Sequence, residues 1–170
     1  MSDFEYIWSN KEANFGPPVP KEVSGGTHIS IENIPKYQGK YIALRRPYAI
    51  PGHEVPQKAQ NNSDGLLYFI HNLPRWGEDL ETYIHRVVLE QSGVSVKEFK
   101  VAHLEMEVYK DTNQWAWTPY TFVELEEMPV PGNNGNKITE VVSFTKNSIP
   151  DEFGWWEKEE LIDFLNKYDS

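Results

Sequence analysis

The stretch from Asn72 to Val94 contains side chains that could bind metal ions and phosphate groups. It reads NLPRWGEDLETYIHRVVLEQSGV, and two of its carboxylates, Glu78 and Glu90, stand at either end of a helical pattern of apolar residues. Hard cations such as Mg²⁺ prefer several carboxylate oxygens that converge from a rigid element. Glu78 and Glu90 carry the type of side chain that such a cation prefers, and two carboxylates are few for a cluster of metal ions.

Two further groups of acidic and histidine side chains could add ligands. Glu81 and His85 stand four residues apart, which places them on one face of a helix. They could bind a metal ion as a pair of ligands, or they could form an exposed hydrogen-bonded pair. His103, Glu105 and Glu107 alternate along a later strand-like run, where they could supply another carboxylate or form the solvated face of an edge strand. Both alternatives stay open on the sequence alone.

Arginine and tryptophan side chains near this stretch are the candidate ligand contacts. The guanidinium fork matches phosphate oxygens, which makes Arg45, Arg46 and Arg75 the best phosphate contacts that the chain offers. Trp76 and Trp117 carry flat rings on which a base or a sugar could stack. These five residues form the predicted ligand-binding set.

A strand, a loop and a helix must position these residues. The run LLYFIH at 66–71 predicts a strand, and apolar residues at helical spacing predict a helix from Leu80 to Gln91 with Gly93 as its stop. A strand closed by Pro35 is expected at 28–34, and others at 40–46, 100–109, 115–127 and 138–145. A second helix is expected from about Lys158. This order predicts an α/β (α+β) fold with a mixed β-sheet between helices.

One domain preceded by an arm is the expected organisation. Pro17, Pro18 and Pro20 oppose regular structure, so residues 1–27 are predicted to form an N-terminal arm. Residues 28–170 are predicted to form a single domain, and a chain of this length can bury its own core. The segment 47–65 is expected to be a long loop.

Composition narrows the class of partners. The chain has 16 basic and 26 acidic residues and a net charge of −10, which disfavours general nucleic-acid binding. A small phosphorylated ligand needs only two or three local cations. The absence of cysteine excludes disulfides and thiolate chemistry. The sequence shows neither a long apolar run nor a signal pattern, so we expect a cytoplasmic protein without a membrane partner, and a homodimer is compatible with these features.

The spacing of residues 72–94 resembles the signature of the Nudix hydrolase superfamily. That signature reads Gly, then Glu six positions later, then eight further on Arg-Glu-apolar-any-Glu-Glu-any-Gly-apolar. The matching positions are Glu78, Arg86, Val88, Glu90, Gly93 and Val94. The departing positions are Asn72 for the first Gly, Val87 for the Glu after Arg, and Gln91 for the second paired Glu.

The resemblance implies both a fold and a chemistry. It implies a Nudix-like α/β/α sandwich, with Arg86 orienting the acidic ligands by ion pairing and Glu90, Glu78 and Arg86 in the catalytic positions. The family holds Mg²⁺ on the row of the helix where this chain has Val87 and Gln91. Valine cannot ligate a metal and glutamine offers only a neutral carbonyl, so metal bound by Glu90 and Glu78 is expected to be weak or absent.

Three functions follow from this combination of matches and departures. The favoured one is a Nudix-fold binding module for a nucleoside diphosphate-type ligand, with a degenerate metal site and weak or no hydrolysis. The first alternative is a divergent hydrolase of nucleoside diphosphate derivatives, with Mg²⁺ as cofactor only if the protein is active. The second alternative is a protein-interaction domain.

Overall fold

A mixed β-sheet with a helix on each face forms the described part of the chain. The computed structural model describes residues 27–46, 65–75, 77–109 and 114–169. Its strands are β1 (Thr27–Ile29), β2 (Ile31–Tyr37), β3 (Lys40–Arg45), β4 (Leu67–Tyr68), β5 (Ile70–Asn72), β6 (Val96–Tyr109), β7 (Gln114–Leu125) and β8 (Glu140–Phe144), and its helices are α1 (Leu80–Ser92) and α2 (Lys158–Tyr168). The predicted arm up to residue 26, the loop 47–64 and Trp76 lie outside the described residues.

The sheet is mixed because two strands run parallel to β7. The main order is β1-β7-β2-β3-β4, and β5, β6 and β8 add to β2, β7 and β3 respectively. β1 and β2 pair with β7 in parallel, while the remaining pairs are antiparallel. The predicted fold class, an α/β (α+β) fold with a mixed β-sheet between helices, is confirmed.

The two faces of the sheet carry separate cores. The core under α1 joins Ile84, Val87 and Val88 to strand residues that include Ile42 and Leu125. The core under α2 is rich in aromatic rings, and its buried members include Ile34, Phe69, Phe122, Phe144, Phe153, Leu161 and Leu165. Neither of these two helices is long and apolar enough to cross a membrane.

The ends of α1 follow from local chemistry. The side chain of Asp79 caps the helix by accepting a hydrogen bond from the Thr82 backbone at 2.7 Å. The helix ends at Gly93, where φ is +76°, and a Cβ there would lie 2.6 Å from the carbonyl oxygen of Asn133. Both the conformation and the space therefore require glycine. The helix predicted from Leu80 is confirmed, and Gly93 is its C-cap.

Two strand predictions were wrong in detail. The strand predicted at 28–34 is divided into β1 and β2, and β2 continues through Pro35 to Tyr37. Pro35 falls between the part of β2 that pairs with β5 and the part that pairs with β3, where a missing N–H is tolerated. The run 66–71 is likewise divided into β4 and β5, because these strands pair with different neighbours, β3 and β2.

Candidate functional site

Arg86 lies at the centre of a network of charged side chains that joins the turn before α1 to the helix itself. Its Nε and Nη2 donate to Glu78 at 2.5 and 2.7 Å, and its Nη1 donates to Glu90 at 2.9 Å. Arg75 completes the network, since its Nη2 donates to Glu90 at 2.9 Å and its backbone N–H donates to Glu78 at 2.7 Å. The structure therefore brings together Glu78, Arg86 and Glu90, with Arg75 beside them.

The network has a clear electrostatic consequence. The bonds from Arg86 hold the pKa of Glu78 below its usual range, and Glu78 in turn raises the pKa of Arg86. The side chains of both residues are largely buried, whereas Glu90 is more exposed. Glu78 is thus held as a carboxylate in a fixed orientation by a bidentate guanidinium.

The turn before α1 places Glu78 within reach of Arg86. Gly77 adopts a φ of +73°, and the backbone N–H of Glu78 donates to the carbonyl of Arg75 at 3.1 Å. The chain then enters the helix at Asp79, and Arg86 follows two turns later on the same side. The spacing of Glu78 and Arg86 in the sequence predicts this local geometry.

The row formed by Tyr83 and Val87 faces the core. Tyr83 and Val87 are fully buried, as are Ile84 and Val88, while Leu80 is only partly buried. The hydroxyl of Tyr83 accepts from the backbone N–H of Asn72 at 3.0 Å. The packing face is wide because Tyr83, Ile84, Val87 and Val88 all belong to the same apolar core.

Gln91 joins the end of α1 to the strands. Its Nε2 donates to the carbonyl of His71 at 2.8 Å, and its Oε1 accepts from Nη1 of Arg46 at 3.1 Å. The Arg46 guanidinium also lies 4.9 Å from the centre of the Tyr68 ring, and burial lowers the pKa of Arg46. Arg46 is therefore a partly buried cation at the position where the helix meets β5.

Arg45 is bonded to a different set of residues. Its Nε donates to Glu140 at 2.6 Å, its Nη1 donates to the carbonyl of Gly65 at 2.9 Å, and its Nη2 bonds Glu152. These bonds tie β3 to β8 and to the segment before α2. Arg45 and Arg46 are neighbours in sequence, yet they contact different elements: Arg45 bonds to Glu140 and Glu152, and Arg46 bonds to Gln91 of α1.

Trp117 lies on an exposed apolar strip at the edge of the sheet. In the register of the β6–β7 hairpin, Met106 is opposite Trp117 and Val108 is opposite Trp115, so their side chains share one face. We call this face the apolar strip; its exposed members are Leu104, Met106, Val108, Trp115 and Trp117.

The polar face of β6 lies on the other side of the sheet. Glu105 accepts from the hydroxyl of Tyr120 at 2.8 Å, and His103 stacks on Tyr168 of α2 with ring centres 4.6 Å apart. These strand residues are therefore on the α2 face, away from the network of Glu78 and Glu90. Across residues 27–46, 65–75, 77–109 and 114–169, no group of three or more His, Asp or Glu side chains is arranged to hold a metal ion.

A buried carboxylate on β2, that of Glu32, is not among the residues that the sequence pattern singles out. Glu32 is 8% exposed, its Oε1 accepts from Nε1 of Trp156 at 3.1 Å, and its Oε2 lies 3.6 Å from Nδ1 of His71. Burial raises the pKa of Glu32 to about 7, against the opposing effects of the Trp156 bond and the Arg46 charge. The available signal was a glutamate inside an apolar strand pattern, HISIENI.

Comparisons with known proteins give a likeness of fold without a likeness of sequence. No protein-family model matches the chain, and no curated protein sequence matches it. The Nudix domain of NrtR from Shewanella oneidensis, crystallised with ADP-ribose, is 14% identical with a TM-score of 0.60, and the match covers 100% of both chains.

Two other solved structures show the same likeness of fold at low sequence identity. The pyrophosphohydrolase BsRppH from Bacillus subtilis is 16% identical with a TM-score of 0.58, covering 92% of this chain and 87% of that one. The MutT Nudix hydrolase from Burkholderia pseudomallei is 11% identical with a TM-score of 0.57, covering 82% and 95%. With a strand, a turn and a helix that carry the matching Glu78, Arg86 and Gly93, this chain has the Nudix fold.

Proposed function

We propose that this protein is a Nudix-fold binding module for a nucleoside diphosphate-type ligand, with weak or no hydrolysis. The observation that supports this most is the state of Glu78 and Glu90. All four of their carboxylate oxygens already accept hydrogen bonds from Arg86 or Arg75. Carboxylates bonded in this way serve to shape a rigid loop rather than to hold a cation.

The donor set does not fit a resident Mg²⁺. This ion demands near-octahedral oxygen ligands and dehydrates reluctantly, so it requires carboxylates that are free to ligate. Val87 is in the core, and Gln91 is bonded to Arg46 and to the His71 carbonyl. Binding a metal would require Glu78 or Glu90 to leave Arg86. The alternative of a divergent Mg²⁺-dependent hydrolase, with Glu90, Glu78 and Arg86 as its catalytic residues, needs that rearrangement.

Arg46 and Arg75 are the proposed phosphate contacts. A guanidinium has five N–H donors, and in the part of the chain that the structure describes Arg46 uses one of them in a hydrogen bond, to Gln91. Trp76 and Trp117 stay proposed ring contacts. Arg45 stays a proposed phosphate contact, although it already donates to Glu140, Gly65 and Glu152. The ADP-ribose held by the Shewanella oneidensis domain supports a ligand of this class.

Isothermal titration calorimetry with ADP-ribose tests this proposal. We expect binding that EDTA leaves unchanged, because the charge is supplied by arginine. Arg46→Ala should weaken binding about tenfold or more, the loss of one charge-assisted hydrogen bond. Lys97→Ala, which removes an exposed cation from β6, is the matched control and should bind normally.

Two results would contradict the proposal. One is the absence of binding by the wild-type protein in either buffer. The other is Mg²⁺-dependent turnover of ADP-ribose at about 1 per second or more, which is an ordinary rate for an enzyme. The second result would favour the divergent hydrolase.

The apolar strip favours a protein-interaction domain as a second candidate function. Soluble proteins rarely leave several large apolar side chains exposed side by side. A second copy of the chain would cover the strip, and sedimentation velocity should then show a dimer that Met106→Glu dissociates. Glu107→Ala, on the opposite face of β6, is the control and should leave the dimer intact. A monomer at all concentrations would remove this candidate.

A further inference from the structure

Glu32 is enclosed by residues from several parts of the sheet. In the strand register its neighbours are His71 on β5 and Tyr120 on β7, so the three side chains share one face. Trp156, from the segment before α2, covers the group and donates to it. Glu32 is thus buried, with 11% of its side chain exposed, beside the more accessible side chain of His71, which is 26% exposed.

Among the described residues, one oxygen of this carboxylate receives no hydrogen bond. Oε1 accepts from Trp156 at 3.1 Å, whereas Oε2 lies 3.6 Å from Nδ1 of His71, beyond a normal hydrogen bond. The described ranges supply no other partner to Oε2. Nδ1 of His71 is closer to the carbonyl of Phe69, at 3.2 Å. A buried acceptor without a partner is costly, so a group that remains in this state calls for an explanation.

The surroundings of Oε2 suit a ligand that carries a phosphate. Arg46 is close enough to Glu32 to oppose the rise of its pKa, and within the described ranges its guanidinium donates one hydrogen bond, to Gln91, out of five N–H donors. Trp155 is 50% exposed, and its ring stands edge-on to His71 with centres 6.5 Å apart. A phosphate on Arg46 would therefore bring the adjoining part of the ligand next to Glu32 and an exposed aromatic ring.

We propose that Glu32 selects the ligand by accepting a hydrogen bond at Oε2 from a donor group next to the phosphate that contacts Arg46. Glu32 is mostly ionised at pH 8, above its pKa of about 7, and this is the pH at which binding is to be measured. An ionised carboxylate is an acceptor only, so it recognises an O–H or N–H group and repels an anion. The donor is either a sugar hydroxyl or an N–H group of a nucleobase. This inference rests on the proposed function, since it assumes that the phosphate lies at Arg46.

Calorimetry with three probes tests it. Inorganic pyrophosphate has no suitable donor, ribose 5-phosphate adds hydroxyls, and ADP adds a base as well. Glu32→Gln keeps the size of the side chain but places an amide where the free oxygen was. We expect it to weaken binding of a donor-bearing probe about tenfold, the loss of a charged hydrogen bond, and to leave pyrophosphate within about twofold.

The pattern of loss identifies the donor. A loss with ribose 5-phosphate assigns the bond to a sugar hydroxyl, and a loss confined to ADP assigns it to the base. Glu32→Asp retains the charge but withdraws it by one methylene, and it should give the same selective loss. Glu98→Gln, an exposed carboxylate on β6, is the control, and thermal denaturation checks that each variant is folded.

Failure of this inference is distinguishable from failure of the proposed function. If the wild-type protein binds none of the probes, both fall. If it binds pyrophosphate as tightly as the other probes, or if Glu32→Gln weakens all three equally or none of them, the inference alone is overturned. An equal loss would mean that Glu32 acts only by positioning Arg46.

Discussion

Replacing Val87 by Glu is expected to lower the free energy of unfolding by about 3 to 5 kcal/mol, the range for a buried charge without a partner. Val87 is fully buried in the core under α1, among Ile42, Ile84 and Leu125. The substitution removes apolar packing and places a carboxylate where the surrounding side chains offer it no donor. Urea unfolding followed by circular dichroism measures the loss.

Leu89→Glu is the matched control for this substitution. Leu89 is on the same helix but is 45% exposed, so the same change should cost about 0.5 kcal/mol or less. Equal stability of the two variants would show that residue 87 reaches solvent. A metal site on this row of the helix would then be a valid hypothesis again. The double variant Val87→Glu with Gln91→Glu would restore the two departing Glu positions of the signature. Its folding must be checked before any gain in Mg²⁺-dependent turnover is interpreted.

Glu32 is expected to make the protein less stable as the pH rises from about 4.5 to about 7. Burial raises the pKa of Glu32 from 4.5 to about 7, so the folded protein holds this proton in a range where the unfolded chain has released it. Stability therefore falls with rising pH through this window and levels off above it. The free energy of unfolding falls by at most about 1.4 kcal/mol for each pH unit, so the loss across this window is about 3 kcal/mol.

The difference between wild type and Glu32→Gln isolates this effect. Urea unfolding at pH 4.5 and pH 8 should show that the wild-type protein loses stability relative to the variant by about 3 kcal/mol. Arg46 and His71 face Glu32 and are present in both proteins, and Glu98→Gln controls for the loss of a carboxylate elsewhere. A difference that does not change with pH would mean that Glu32 titrates in the ordinary range of a carboxyl group.

The sequence by itself determined those features that depend on residues close together in the chain. The helix from Leu80, its stop at Gly93 and the spacing of Glu78 and Arg86 depend on one helix and the turn before it. Such interactions join residues fewer than about ten positions apart, so their geometry follows from helical spacing and turn chemistry. The departures at Val87 and Gln91 were equally visible, because they are read at positions that the matching residues define.

Only the tertiary structure decided which side chains meet across the sheet. Glu32 meets Trp156, which is 124 positions away in the chain, and Arg46 meets Gln91 from another element. The burial of Val87 likewise depends on how α1 lies against strands far from it in sequence. Such contacts are set by strand register and by the packing of whole faces, and a pattern of residue types along one strand leaves both undetermined.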